Sequence, residues 1–378
     1  MNVYFDNAAT TPLHNEVIAL MHQTAINMFG NPSSSHSFGR KSRAAIEQAR
    51  KTIAKYLNAS PLEIIFTSCG TESNNMVLKM SIQKHNIKHI VISEIEHKCV
   101  LNTAEEICNK QDVELHILKV NKLGHLKIND LSSLLERLEG KVLVSIMHAN
   151  NEIGTIADIK KIASICKVNN ALFHSDTVQT IAHYPFDVKD IEVDFISGSA
   201  HKFHGPKGVG FLYVNENIQI KPIITGGAQE RNVRAGTENI IGIVGLTKAM
   251  EVAYRDLEAH QKHVQGLKTY MIEQLEAIIP GVSFNGDPKG DSLYTVLNVQ
   301  FPNSDMDEML LYNFDIEGIA VSGGSACSSG SNTGSHVLRN IGVDMTKPAL
   351  RFSFSKNNTK EELDYTLNVI KELFGVEA

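Results

Sequence analysis

The chain contains no run of about 18 apolar residues, the length a helix needs to cross a bilayer, so no membrane span is expected. It has no block of lysine or arginine, and its formal net charge is −6. The usual electrostatic grounds for expecting nucleic acid or an anionic membrane as partner are therefore missing. Cysteine is scarce. The five present (Cys69, Cys99, Cys108, Cys166 and Cys327) are odd in number and widely scattered, which fits a reducing compartment better than a disulfide framework. None forms a C-x-x-C pair, so no metal site is expected. His85 and His89 stand four apart, but His89 opens the strand-like "HIVIS", and both are read as solvated surface histidines. The opening "MNVYFDNAATTPLHNEV" lacks the basic and then apolar layout of a signal peptide, which points to the cytoplasm. No G-x-x-x-x-G-K-[ST] loop occurs, which disfavours nucleotide hydrolysis.

What is present belongs to an ordinary globular protein: 378 residues, 42% hydrophobic and 21% charged, long enough for two domains. From about residue 40 to 254, short runs rich in branched residues alternate with helical stretches, the pattern of an α/β sheet layered with helices. The predicted strands are "EIIFTSC", "HIVISEIE", "VELHILKV", "VLVSIMHAN", "ALFHSDTV", "VDFISGSAH" and "GVGFLYV". In "ESNNMVLKMSIQKHN", "CVLNTAEEICNK" and "ADIKKIASICKVNN" apolar residues recur three and four apart, as in amphipathic crossover helices. A long helical stretch runs from about Ile240 to Ala277. The segments "SLYTVLNVQF", "GIAVSGGS" and "ALRFSFS" then read as strands of a smaller layer. The closing helix has Thr359 and Glu362 placed as a capping box, with Leu363, Leu367, Ile370 and Phe374 on one face.

In such sheets the loops leaving the carboxyl ends of the strands form the ligand crevice. That rule selects Gly70, Thr71, His97, Asn150, Asn151, Asp176, Gln179 and Lys202. A lysine has a reference pKa near 10.4, so Lys202 is a poor nucleophile at neutral pH unless its surroundings disfavour the ammonium or bind it as an imine. An arbitrary lysine in a turn would be surface. Here Asp176 follows another strand, so the two side chains can converge. A lysine for a Schiff base and a carboxylate for a pyridinium nitrogen are the protein groups that pyridoxal phosphate most needs; a helix cap is the bland alternative for Asp176. The turn "TSCGTESNN" leads from a strand into a helix start, where amides and dipole favour a phosphate held by Gly70 and Thr71, aided by Ser199 and His201. Capping by Thr71 explains that string equally well. His97 could lie over a flat ring and act as acid or base.

The segment "VSGGSACSSGS", residues 321–331, sets Cys327 among glycine, serine and alanine. A structural thiol packs as a small hydrophobe, and this one has no apolar company.

Together, "YFDNAATTP", "GNPSSSH", "TSCGTESNN", "HANNEIGT", "HSDTVQT", "SGSAHKFHGPKGVG", "RAGTEN", "SGGSACSSGS" and "LRFSFS" resemble the cysteine desulfurases of the NifS/IscS type, in the class V aminotransferase group. The likeness runs over nearly the whole chain. It implies the fold type I architecture of pyridoxal-phosphate-dependent transferases. This is a large α/β domain (15–254) with a mainly parallel seven-stranded sheet flanked by helices, and a smaller α+β domain (1–14 and 255–378) carrying a mobile cysteine loop, 321–335. It implies that Lys202 forms the Schiff base, Asp176 pairs with the pyridine nitrogen, Gln179 bonds the ring hydroxyl and His97 stacks on the ring. Thr71, Ser199 and His201 match phosphate ligands, and Thr237 matches a residue that reaches the phosphate of a neighbouring subunit, so a homodimer is implied. Asn151 and Arg351 match groups that orient the substrate, L-cysteine. Cys327 matches the sulfur acceptor, whose loop swings between the buried adduct and an outside recipient such as an iron-sulfur scaffold protein. Two departures stand out. "NTGSHVL" at 332–338 replaces the family's common "LEPSHVL", and Ser355 stands where glycine is usual. The competing readings are a selenocysteine lyase or an aminotransferase on the same fold, and a non-catalytic scaffold. An aminotransferase has no use for Cys327 on a tether, and a scaffold needs neither Lys202 nor Cys327.

Overall fold

A computed structural model describes residues 1–303, 309–323 and 334–376. After a two-residue strand, β1 (Val3–Tyr4), the chain builds one sheet from β2 (Ile64–Thr67), β3 (Ile87–Ser93), β4 (Glu114–Leu118), β5 (Lys141–Ser145), β6 (Leu172–Asp176), β7 (Phe195–Ser199) and β8 (Gly210–Val214). Their spatial order is β2-β8-β7-β6-β5-β3-β4. All run parallel except β8, which is antiparallel to both of its neighbours. The reason lies in the side chains: in β3, Ile90, Val91 and Ile92 are successive yet all fully buried, as a strand covered on both faces requires. One face packs against a cluster that includes Val91, Val144, Phe173 and Ile196, the other against one that includes Ile90, Ile92, Leu143 and Phe195.

All seven predicted strands are present, but several end sooner than their apolar runs. β3 stops at Ser93 although "HIVISEIE" runs to Glu96, because there the chain turns: Glu96 folds back to accept the Met147 amide. The predicted helix from Ile240 to Ala277 is two helices, Ile240–Arg255 and Leu257–Ile278. They are broken at Asp256 (φ −103°, ψ 12°).

Beyond the break, β9 (Ser283–Asn285), β10 (Val296–Gln300), β12 (Ser322–Gly323) and β13 (Ala349–Ser353) form a four-stranded antiparallel sheet in the order β12-β13-β10-β9. β11 (Ile319–Ala320) pairs instead with β1. This sheet has its own core, in which Val3 and Phe5 meet Val264, Met271, Phe352, Leu363 and Ile370. The closing helix Lys360–Leu373 carries the capping box of Thr359 and Glu362, and Leu363, Leu367 and Ile370 on its inner face are buried. No helix among the described residues is long and apolar enough to cross a membrane.

Candidate active site

A cleft of about 250 Å³ opens at the carboxyl ends of the large sheet. Gly70, Thr71, His97, Asn151, Asp176, Gln179, Ser199, His201 and Lys202 all line it. Each follows or ends a strand: Asp176 closes β6, Ser199 closes β7, and Lys202 sits in the short 3-10 turn Ala200–Lys202 immediately after. Thr237 is exposed and is not among the residues that line this cleft. Cys327 lies outside the described residues.

Lys202 Nζ donates to the carbonyl oxygens of Ala8 (2.6 Å) and Ala9 (2.9 Å). Among the described residues no carboxylate lies within ion-pair distance of it. Burial, reinforced by the Arg351 charge and opposed by Asp176, pulls its amine down to about 8. A substantial neutral fraction at physiological pH is the prerequisite for nucleophilic chemistry. Asp176 accepts from Asn74 Nδ2 (2.6 Å) and from the Val178 amide (3.0 Å), which fix the plane of its carboxylate. Gln179 Nε2 donates to the Ala8 carbonyl at 3.2 Å, so one carbonyl serves both Lys202 and Gln179.

His97 caps the helix Lys98–Lys110: its Nδ1 accepts from the Cys99 amide (3.1 Å) and thiol (3.0 Å). The ring proton therefore sits on Nε2. Loss of hydration, opposed by Asp176 and reinforced by Lys202, holds His97 below the usual imidazole value, hence neutral near pH 7. Two thiols line the cleft, Cys69 and Cys99; burial, reinforced by Asp176, pushes Cys99 up to about 12. It stays protonated and unreactive. His201 is drawn down to about 4 by burial and by the charges of Lys202 and Lys207, and its Nδ1 lies 3.2 Å from Thr10 Oγ1.

The cleft fits a planar group carrying a phosphate. Ser199 Oγ is buried with no partner among the described residues, and it lines the cleft next to the first turn of the helix Gly70–His85. Free amides and the dipole at that end favour an anion. Gly70 is dictated by close approach: a Cβ there would lie 2.5 Å from Val178 Cγ2.

A second cleft, of about 210 Å³, adjoins the first through Asn151 and includes Arg351 and His336. Arg351, in β13, donates to the Asn151 carbonyl (2.9 Å), Asp6 Oδ1 (2.8 Å) and Ser322 Oγ (3.1 Å), while its Nε is buried with no partner among the described residues. The two departures from the family pattern have local explanations. Gly334 has φ +59°, which a proline ring forbids. Ser355 is buried and its amide donates to Asn358 Oδ1, in a turn that lies outside the left-handed region and does not require glycine.

Sequence reasoning did not find the Ala8 and Ala9 carbonyls, Asn74, Cys99 or Glu96. Asn74 stood within "TSCGTESNN", whereas Ala8 and Ala9 contribute only backbone and carry no side-chain signal. Glu96 is fully buried and accepts from Ser93 Oγ and the Met147 amide. Burial, opposed by those bonds, raises its carboxyl to about 8. Its folded value thus lies above the ordinary 4.5, so the native state binds the extra proton between the two. The stability this confers is intact below about 4.5 and is lost as pH rises through about 8. In denaturant titrations at several pH values, Glu96→Gln is expected to lack this loss, diverging from the parent by a few kcal/mol on the alkaline side.

Sheet order, the cleft at the strand ends and the half-buried lysine that shares it with an aspartate define the fold type I class of α/β enzymes. The family model described as "Aminotransferase class-V" matches residues 3–366. "Cysteine desulfurase IscS" of Dictyoglomus turgidum is 44% identical over 376 residues, covering 98% of this chain and 94% of its own. The solved structure titled "NIFS-LIKE PROTEIN" superposes with a TM-score of 0.91 at 39% identity, covering 99% of this chain and 100% of the other. The structure titled "SspA in complex with cysteine" superposes with a TM-score of 0.81 at 33% identity over 95% of this chain and 100% of its own. The chain belongs to the class-V aminotransferase family, in its NifS/IscS-type cysteine desulfurase branch.

Proposed function

We propose that the protein is a pyridoxal-phosphate-dependent cysteine desulfurase that converts L-cysteine to L-alanine and passes the sulfur, through a persulfide on Cys327, toward iron-sulfur cluster assembly. The observation that carries this reading is the Lys202 amine, brought to about 8 in a cleft that it shares with Asp176. When bound, pyridoxal phosphate supplies an electron sink for the bonds around the substrate Cα.

The chain's own residues divide the remaining work. Lys202 would anchor the cofactor and, once displaced by substrate, move the Cα proton. Asp176 would face the ring nitrogen, Gln179 the ring hydroxyl and His97 the ring plane. Gly70, Thr71, Ser199 and His201 would hold the phosphate, joined by Thr237 from a second subunit of a cytoplasmic homodimer. His97, neutral near pH 7 with its ring proton on Nε2, would donate a hydrogen bond from Nε2 beside the substrate. Arg351 would bind the substrate carboxylate through its fork of donors, with Asn151 alongside. Cys327 must act as thiolate. Its Sγ forms a bond to the substrate sulfur as the substrate Cβ–S bond breaks; the electron pair stays with carbon, which is protonated on the way to alanine. We further propose that residues 15–254 form the cofactor-binding domain and 1–14 with 255–378 the smaller one, a division that follows the separate core around Val264 and Phe352.

The test is direct: protein loaded with pyridoxal phosphate should yield equal alanine and sulfide from L-cysteine with a thiol reductant. Absence of alanine would overturn the reading. Arg351→Gln is expected to raise KM for L-cysteine about 10- to 100-fold, the weight of a charge-assisted contact, with a smaller change in kcat by steady-state assay.

A further inference from the structure

A second group of ligating side chains stands at the far edge of the large sheet, away from the cleft. β4 is the edge strand and pairs in parallel with β3 alone, with His89 opposite Glu114 in register. His116 lies two residues beyond Glu114, so the pleat brings it to the same face. His89 Nδ1 is 3.1 Å from His116 Nε2 and 3.4 Å from Glu114 Oε2, and His116 Nε2 is 3.7 Å from that same oxygen. Nitrogen and oxygen ligands held about 2.0–2.1 Å from one tetrahedral centre stand roughly 3.3 Å apart. The three atoms already approximate one triangular face of such a site, and among the described residues they are the one group of this kind.

An independent feature orients the first ligand. His89 Nε2 lies 2.9 Å from the Glu139 carbonyl oxygen. A carbonyl only accepts, so Nε2 holds the ring proton and the Nδ1 lone pair is aimed at the other two groups, the outer support that metal-binding histidines characteristically have. The imidazoles are mostly enclosed, with side chains 13% and 16% exposed, while Glu114 is open at 66%. His89 was read from the sequence as solvated; its enclosure comes from β4, which no local pattern foretells.

We infer that His89, Glu114 and His116 form a binding site for a divalent transition metal of the zinc type, with the remaining position left to water. Two imidazoles and one carboxylate suit zinc, cobalt and nickel rather than magnesium or calcium. On binding, the metal takes the place of the hydrogen now shared by the two rings, and the His116 proton moves to Nδ1 or leaves to solvent. The ion would clamp an edge strand that hydrogen-bonds on one side only. The site lies toward the start of β3, and His97 follows its other end, so the inference stands whether or not the cleft holds pyridoxal phosphate.

The test is equilibrium dialysis of the pyridoxal-phosphate-loaded protein against micromolar Zn²⁺, with bound metal counted by atomic emission. Thiol sites are common to all variants and cancel in the comparison. The parent is expected to retain one ion per chain more than His116→Gln, and Glu114→Ala, an exposed change that leaves the core intact, is expected to lose the same ion. Zn²⁺ should also raise the Tm of the parent and of neither variant, with metal-free desulfurase activity equal in all three. Equal metal content in the parent and Glu114→Ala, or no Zn²⁺-dependent rise in Tm of the parent, would overturn the inference.

Discussion

Lys202→Ala, incubated with pyridoxal phosphate and freed of unbound cofactor, is expected to lose the visible absorbance of covalently held cofactor and to lose desulfurase activity by at least about 10³-fold, the scale of a removed acid–base group. The size of the effect follows from position. Lys202 Nζ is the amine placed between the carbonyls of Ala8 and Ala9 on one side and the field of Asp176 on the other, and among the described residues the cleft has no other lysine in its lining. Phosphate and ring contacts remain in this variant, so cofactor should still bind reversibly. Retention of full alanine production would sink the assignment. Absorbance and product formation read the anchor and the proton carrier separately.

Cys327→Ala should behave in the opposite way. It is expected to keep cofactor colour and affinity and yet to release sulfide at less than about a hundredth of the parent rate, because the proposed route carries the sulfur on the Cys327 nucleophile. Of the two thiols that line the cleft, Cys69 and Cys99, burial holds Cys99 protonated, and a protonated thiol is a poor nucleophile. Mass spectrometry after exposure to L-cysteine should find one added sulfur on the parent and none on the variant. The same experiment separates the competing readings. A catalytically silent scaffold would add no sulfur in either protein, and a lyase independent of Cys327 would show equal turnover in both.

Much of this was legible in the sequence because its signals are local. Runs such as "VLVSIMHAN" mark strands covered on both faces, and Asp176, Ser199 and Lys202 fall within or just past such runs, where the chain must leave the sheet. What was not legible depends on distant pairing. Nothing in "YFDNAATTP" says that two alanine carbonyls will receive Lys202. Register with β4 decides that His89 is enclosed. The break at Asp256 rests on one residue's dihedral angles within an otherwise helical pattern. Glu96 looked like the end of a strand, and only the return to Met147 shows why a carboxyl could be tolerated at zero exposure.

The guanidinium of Arg351 is never bare. With a side chain only 11% exposed, it leans on Asp6 at 2.8 Å, so in the role proposed for it an arriving amino acid would trade places with a resident carboxylate. Recognition would then reflect the margin between two similar embraces, and a thiol compound without a carboxylate would have nothing with which to unseat Asp6.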